Sequence, residues 1–213
     1  MINKRKILIV VDYQADFASP KGALSVPQGD VIANNIQAKI NSDEYDSVIY
    51  TFDTHTKSDY DKSDEKNVFG FPIHCEFQTN GWNLFNIKPK NNIRFNEMIT
   101  DMDKPFEMIS IKNEFFFTKN MFSIWDGNDT YPEWFERTFP SADYEVEVVG
   151  LATNYCVSMN VMGMTDRGYT VSVIEDCVKG ITNTPDGGID ESYSKNITVM
   201  KNRGVKFISS EEV

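Results

Sequence analysis

The sequence predicts an α/β fold, a mainly parallel central sheet carrying helices on both faces in three layers. The run Ile7-Leu-Ile-Val-Val11 is continuously apolar, as a strand covered on both sides must be. Apolar runs and stretches of helical periodicity then alternate along the chain, which is the pattern of successive β-α-β units. The 213 residues suffice for one large core, and no repeat or low-complexity tract divides them, so a single domain over 1–213 is expected.

The elements follow in order. After the strand at 7–11, residues 31–40 space their apolar side chains at helical intervals. Further strands are expected at 47–52, 115–118, 146–149, 170–174 and 205–208, with helices at 155–167 and 192–201. Two stretches break the alternation. Residues 57–66 are charged and polar, and residues 83–111 mix Pro, Asn, Lys and Asp with little periodicity, so both are expected as excursions at the rim of the sheet.

Composition excludes several function classes. A formal charge of -11 and a pI near 4.7 disfavour a phosphate-backbone partner, so no nucleic-acid binding is expected. The basic start Met1-Ile-Asn-Lys-Arg-Lys6 is followed by an apolar run too short to span a bilayer and closed by Asp12. It reads as a first strand rather than a signal peptide, with no membrane partner. Three cysteines, Cys75, Cys156 and Cys177, make no disulfide framework in a chain of this size and point to a reducing, cytoplasmic compartment.

In doubly wound sheets ligands bind beyond the carboxyl ends of the strands, so the polar residue closing each apolar run is informative. Those residues are Asp12, Asp53, Lys119, the Gly150-Leu-Ala152 turn and Asp176. Cys156 follows that turn at the start of a predicted helix, where free N–H groups and the helix dipole lower a thiol pKa and favour a nucleophile. A small buried apolar thiol is an equally good reading of position alone. Asp12 needs a cation or hydrogen bonds at that edge, and Lys119 closes the 115–118 run beside it, whereas Lys112 precedes that run. Together they would supply base, cation and nucleophile. The two histidines lie in Asp53-Thr-His55 and Phe71-Pro-Ile-His74-Cys75. With Asp53 they could form a carboxylate-imidazole-imidazole metal site, or Asp53 and His55 could share a structural hydrogen bond.

These segments together resemble the isochorismatase-type cysteine hydrolase superfamily, and within it the nicotinamidase/pyrazinamidase branch. Val11-Asp12-Tyr-Gln14-Ala-Asp16-Phe17 is similar to the opening V-D-x-Q-x-D-F, and Gly22-Ala-Leu-Ser-Val26-Pro to the G-x-L-x-V-P that follows. Asp53-Thr-His55 and Pro72-Ile-His74-Cys75 resemble the metal-binding D-x-H and P-x-H-C. Lys119-Asn-Met-Phe122-Ser123-Ile-Trp125 and Val149-Gly150-Leu-Ala152-Thr153-Asn-Tyr-Cys156-Val157 resemble K-x-x-[FY]-S-x-F and V-G-x-A-T-x-x-C-V. The resemblance spans nearly the whole chain. It implies an Asp12, Lys119, Cys156 triad, with Lys112 as the alternative lysine where the family's intervening loop is longer. It implies metal ligation by Asp53, His55 and His74, an oxyanion hole from the N–H groups of Ala152 and Cys156, and a cis Leu151-Ala152 bond. Phe17, Phe71 and Phe122 would line the substrate ring.

The activity implied is hydrolysis of a small-molecule amide, nicotinamide to nicotinate and ammonia through a thioester, with a divalent transition metal: zinc, or iron or manganese on the same donors. A carbamoyl or ureido substrate is the enzymatic alternative, and a non-catalytic protein keeping the fold is a third. Thr54 and Phe71, where the family often has aromatic and tryptophan residues, bear on the choice of amide. Assembly as a homo-oligomer is left open by the sequence.

Overall fold

A computed structural model describes residues 4–91, 109–111, 113–183 and 187–211, so Lys112 lies outside the described residues. β1, Arg5–Val11, sits at the centre of the sheet because its apolar side chains serve both faces. Leu8 and Val10 enter one core with Ile36, Ile40, Phe52 and Trp82, and Ile7, Ile9 and Val11 enter the other with Phe117, Tyr131, Phe135, Val161 and Met200. Alternation of a strand's side chains explains the division. The helix Ala33–Asn41 covers the first face, and Tyr131–Thr138, Ser158–Asp166 and Glu191–Asn202 cover the second.

The other strands are β2 (Tyr45–Asp53), β3 (Ile109–Ile111), β4 (Glu114–Lys119), β5 (Tyr144–Leu151), β6 (Thr170–Lys179) and β7 (Lys206–Ile208). Their order is β3-β4-β2-β1-β5-β6-β7, parallel throughout except for β3 against β4. The chain runs outward from β1 through β2 and β4, then crosses to β5 and continues outward the other way. The order therefore reverses beside β1, and the crevice at the carboxyl ends of β1, β2 and β5 is where a ligand fits.

Several boundaries differ from the sequence expectation. The helix expected at 31–40 begins with a 3-10 turn, Asp30–Ile32, that leaves Val31 exposed. That expected at 155–167 opens with a π turn, Thr153–Val157, in which Tyr155 is non-helical (φ -123°, ψ -106°). β6 runs on to Lys179 after its register with β5 shifts between Val148 and Gly150. Asp176 consequently falls within a strand instead of closing it. Its carboxylate accepts from Asn35 Nδ2 (3.0 Å) and the Ser210 N–H (2.8 Å), so it ties down the C-terminal segment away from the crevice.

The charged stretch at 57–66 is more than a rim excursion. Thr56 and Ser63 accept N–H groups at the starts of two short helices, Lys57–Tyr60 and Asp64–Asn67, and these bury Tyr60 and Glu65. No helix among the described residues is long and apolar enough to cross a membrane.

Gly150, next to last in β5, has φ 115°, and a Cβ there would lie 2.0 Å from the Val11 carbonyl oxygen. Both β1 and β5 would have to give way. Gly150→Ala is expected to cost about 3 kcal/mol or more, read as a lowered denaturation midpoint at unchanged m-value.

Candidate active site and metal centre

The parallel register carries polar residues to one edge. Asp53 is paired with Lys119 across β2 and β4, and Val11 is paired with both Thr51 and Gly150, so the residues after β1 and β5 emerge beside them. Asp12 leaves β1 with φ 44°, which turns the chain out of the sheet while its side chain stays buried. Lys119 Nζ lies 2.7 Å from Asp12 Oδ2, 3.1 Å from Asp53 Oδ1 and 3.6 Å from Cys156 Sγ. All four side chains are buried. One ammonium thus joins two carboxylates and a thiol.

The Asp12 carboxylate receives a 2.6 Å hydrogen bond from Thr51 Oγ1 on Oδ1, whereas Oδ2 faces Lys119 and accepts no further hydrogen bond. Burial raises the Asp12 pKa; Lys119 opposes that rise and the Asp53 charge adds to it. For Lys119, burial favours the neutral amine, but Asp12 and Asp53 outweigh it and hold the ammonium well above the usual lysine range. Cys156 departs from the helix-start expectation. Burial pushes its thiol well up, and although Lys119 pulls down, Asp12 and Asp53 push up further. The dipole of a π turn cannot offset the removal of a thiolate from water beside two carboxylates. Such a thiol is protonated at rest and needs a base within reach when it reacts.

Beyond the carboxyl end of β2, Asp53, His55, Glu65 and His74 converge, one ligand atom from each lying within 4.8 Å of the others. Asp53 Oδ2 is 3.0 Å from His55 Nε2 and 3.2 Å from His74 Nε2, and Glu65 Oε2 is 3.4 and 3.1 Å from the same nitrogens. His74 Nδ1 lies 2.8 Å from the Pro72 carbonyl, which can only accept, so Nδ1 carries a proton and Nε2 is the nitrogen that faces the cluster. Both oxygens of Glu65 are buried, Oε2 against the imidazoles and Oε1 without a hydrogen bond. Burial lowers both imidazole pKa values, yet the carboxylates, Asp53 foremost, overcome it and push His55 to about 10 and His74 to about 9. The pocket thus demands positive charge at its centre. Two imidazoles and two carboxylates fit a divalent transition metal, and this chain holds such a site.

Gln14 and Asp16 align the two centres. Gln14 Nε2 donates to the Asp53 carbonyl (2.8 Å) and the Trp82 carbonyl (3.0 Å), and its Oε1 accepts the Asp53 N–H (2.8 Å), extending strand pairing with a side chain. Asp16 Oδ2 accepts the Cys75 N–H at 2.8 Å, which fixes the loop carrying His74. On the other side, Asn160 Nδ2 donates to the Cys156 carbonyl (2.7 Å) while its Oδ1 accepts the Ile124 N–H (2.8 Å).

The two centres share a pocket. Phe17, Phe71, Phe122 and Tyr155 form its aromatic walls, Leu24, Val26 and Ile181 complete them, and Asp53, His74, Ala152 and Cys156 form its floor. The Leu151-Ala152 bond is cis. Asp12, Lys119 and Cys156, the three metal-site residues, Ala152 and the three phenylalanines read from the sequence lie in this assembly, Asp176 does not, and Cys75, outside the ligand set, is buried with its N–H on Asp16. Glu65, Tyr155 and Ile181 were not foreseen. Glu65 stands in a run of charges, and only Ser63 as a helix cap signalled that one of them turns inward.

An α/β sheet with a thiol, an ammonium and a carboxylate at its switch point defines the broad class. The chain belongs to the isochorismatase family, whose domain model matches residues 6–212. It is 25% identical to the nicotinamidase of Saccharomyces cerevisiae over 213 residues, 85% of this chain and 91% of that protein. The fold is shared with the zinc complex of Pyrococcus horikoshii pyrazinamidase (TM-score 0.68, 24% identity, 96% of this chain and 99% of that one). It is shared also with PnC1 from L. infantum in complex with nicotinate (TM-score 0.72, 20% identity, 98% and 94%).

Two outcomes follow from this geometry. Glu65→Gln is expected to weaken divalent-cation binding by about tenfold or more in titration calorimetry, because one carboxylate of four donors loses its charge. Alkylation of Cys156 in the free protein is expected to be slow at neutral pH and to keep rising past the ordinary thiol range of about 8.5, with no plateau near neutrality.

Proposed function

We propose that this protein is a metal-assisted cysteine amidohydrolase that converts nicotinamide to nicotinate and ammonia. The observation that carries the reading is a single pocket floored by Cys156 on one side and by Asp53 and His74 on the other, between aromatic walls. Hydrolysis of a pyridine carboxamide needs both: a donor-accepting centre for the ring nitrogen and a nucleophile for the amide carbon.

In this reading Asp12, whose Oδ2 pairs with the Lys119 ammonium, takes the Cys156 proton as sulfur attacks the carboxamide carbon. The backbone N–H groups of Ala152 and Cys156 hold the oxyanion, and Asp12 returns the proton to the departing ammonia. Water, deprotonated by Asp12, then cleaves the thioester to release nicotinate, and Asp12 passes that proton to the departing Cys156 sulfur. Lys119 keeps the Asp12 and Asp53 charges together and stabilises negative charge at sulfur during attack. Phe17, Phe71 and Phe122 hold the ring. Asp53, His55, Glu65 and His74 would hold the cation, which when bound supplies a Lewis acid for the pyridine nitrogen. Zinc is the proposed ion, supported by the donor set and by the zinc complex of the Pyrococcus relative. Three buried free thiols support a reducing, cytoplasmic setting.

Ammonia release from nicotinamide tests the proposal. Wild type is expected to turn over, and Cys156→Ala to lose about 1,000-fold or more in kcat with its fold intact. Equal activity in the alanine variant sinks the mechanism, and hydrolysis of ureido compounds in place of nicotinamide reassigns the substrate.

A further inference from the structure

The four candidate ligands form a wall between two cavities. Asp53 and His74 face the aromatic pocket, whereas His55 and Glu65 line a second cavity with Asp59, Lys62 and Asp64, and Phe122 borders both. The two spaces differ in kind. The outer cavity opens ≈ 480 Å³ to water and the inner pocket ≈ 20 Å³, room for about one water molecule. The inner walls must part for a substrate, but an apolar ring replaces the aromatic contacts it breaks. An aqua ion replaces none of them and would lose its hydration among phenylalanines.

The outer cavity offers what a hydrated cation needs. Asp59 and Asp64 line it, and Glu65, only 4% exposed, sets its Oε2 against the two imidazoles and leaves its Oε1 without a hydrogen bond. Successive carboxylates can take over a cation's hydration shell stepwise, and a cleft whose three carboxylates outnumber its one lysine raises the cation's local concentration.

We propose that the outer cavity is the loading route of the metal centre: a divalent cation enters past Asp59 and Asp64, is first captured by Glu65 and His55, and settles onto Asp53 and His74. The proposal rests on the metal reading given above. The route meets the substrate pocket only at Phe122 and at the ligands themselves, so a filled pocket does not block exchange of the ion.

The test follows uptake of cobalt(II) by chelator-stripped protein in stopped flow, reading d–d absorption, after equilibrium titration has established stoichiometry. Asp64→Lys is expected to slow uptake and Lys62→Glu to speed it, each by about threefold or more, with both effects shrinking in high salt. Opposite signs from two neighbouring surface charges are not produced by a general loss of folding. Capping Cys156 with a benzyl disulfide, formed from benzyl methanethiosulfonate with release of methanesulfinate, fills the inner pocket and is expected to leave the uptake rate unchanged. Uptake slowed about tenfold by the cap, or indifferent to both charge changes, overturns the route while leaving the metal centre in place. Wild-type protein that binds no cobalt at equilibrium overturns the metal reading and the route together.

Discussion

The buried ammonium of Lys119 is the constraint on which the rest of the site depends. Isolated in the protein interior it would be prohibitive, and it persists because Asp12 and Asp53 lie at 2.7 and 3.1 Å. Each partner comes from a different strand, so the ion cluster holds the carboxyl ends of β1, β2 and β4 in one alignment. The cluster is also a coupling. Asp53 presents one oxygen to Lys119 and the other to the imidazoles, so the thiol centre and the metal centre share a single carboxylate.

That sharing explains the electrostatic state of the thiol. Two carboxylates around one ammonium leave the immediate surroundings of Cys156 net negative, and burial adds to the cost of a thiolate. A resting thiolate, the usual device of reactive cysteines, is unavailable here. The fold instead provides an acceptor, since Asp12 is itself raised by burial and so more ready to take a proton. Proton transfer and attack are then suited to occur together, when substrate closes the pocket and N–H groups meet the developing oxyanion.

Much of this was legible in the chain. The run 7–11 announced a two-faced central strand, and the residues closing the apolar runs, Asp12, Asp53 and Lys119, meet in the structure because parallel strands end at one edge. Asp176 misled by the same rule: the register shift opposite Val148 and Gly150 carries β6 past it. Glu65 was unreadable because its partners are His55 and His74, each about ten residues away, and a charged run looks solvated until its helix is oriented. Tyr155 and Ile181 were hidden for a related reason, as the π turn and the segment after β6 have no periodicity that assigns a face.

The sequence by itself determined the class of fold, the strand ends at which chemistry is placed and the family to which the chain belongs, since these depend on local periodicity and on short ordered motifs. Only the tertiary structure decided that Lys119 serves two carboxylates at once, that Glu65 joins the ligand set, and that the thiol is raised rather than lowered. These are properties of distance and desolvation. They arise when side chains remote in sequence leave water together, and no local pattern records which charges will share the same dry volume.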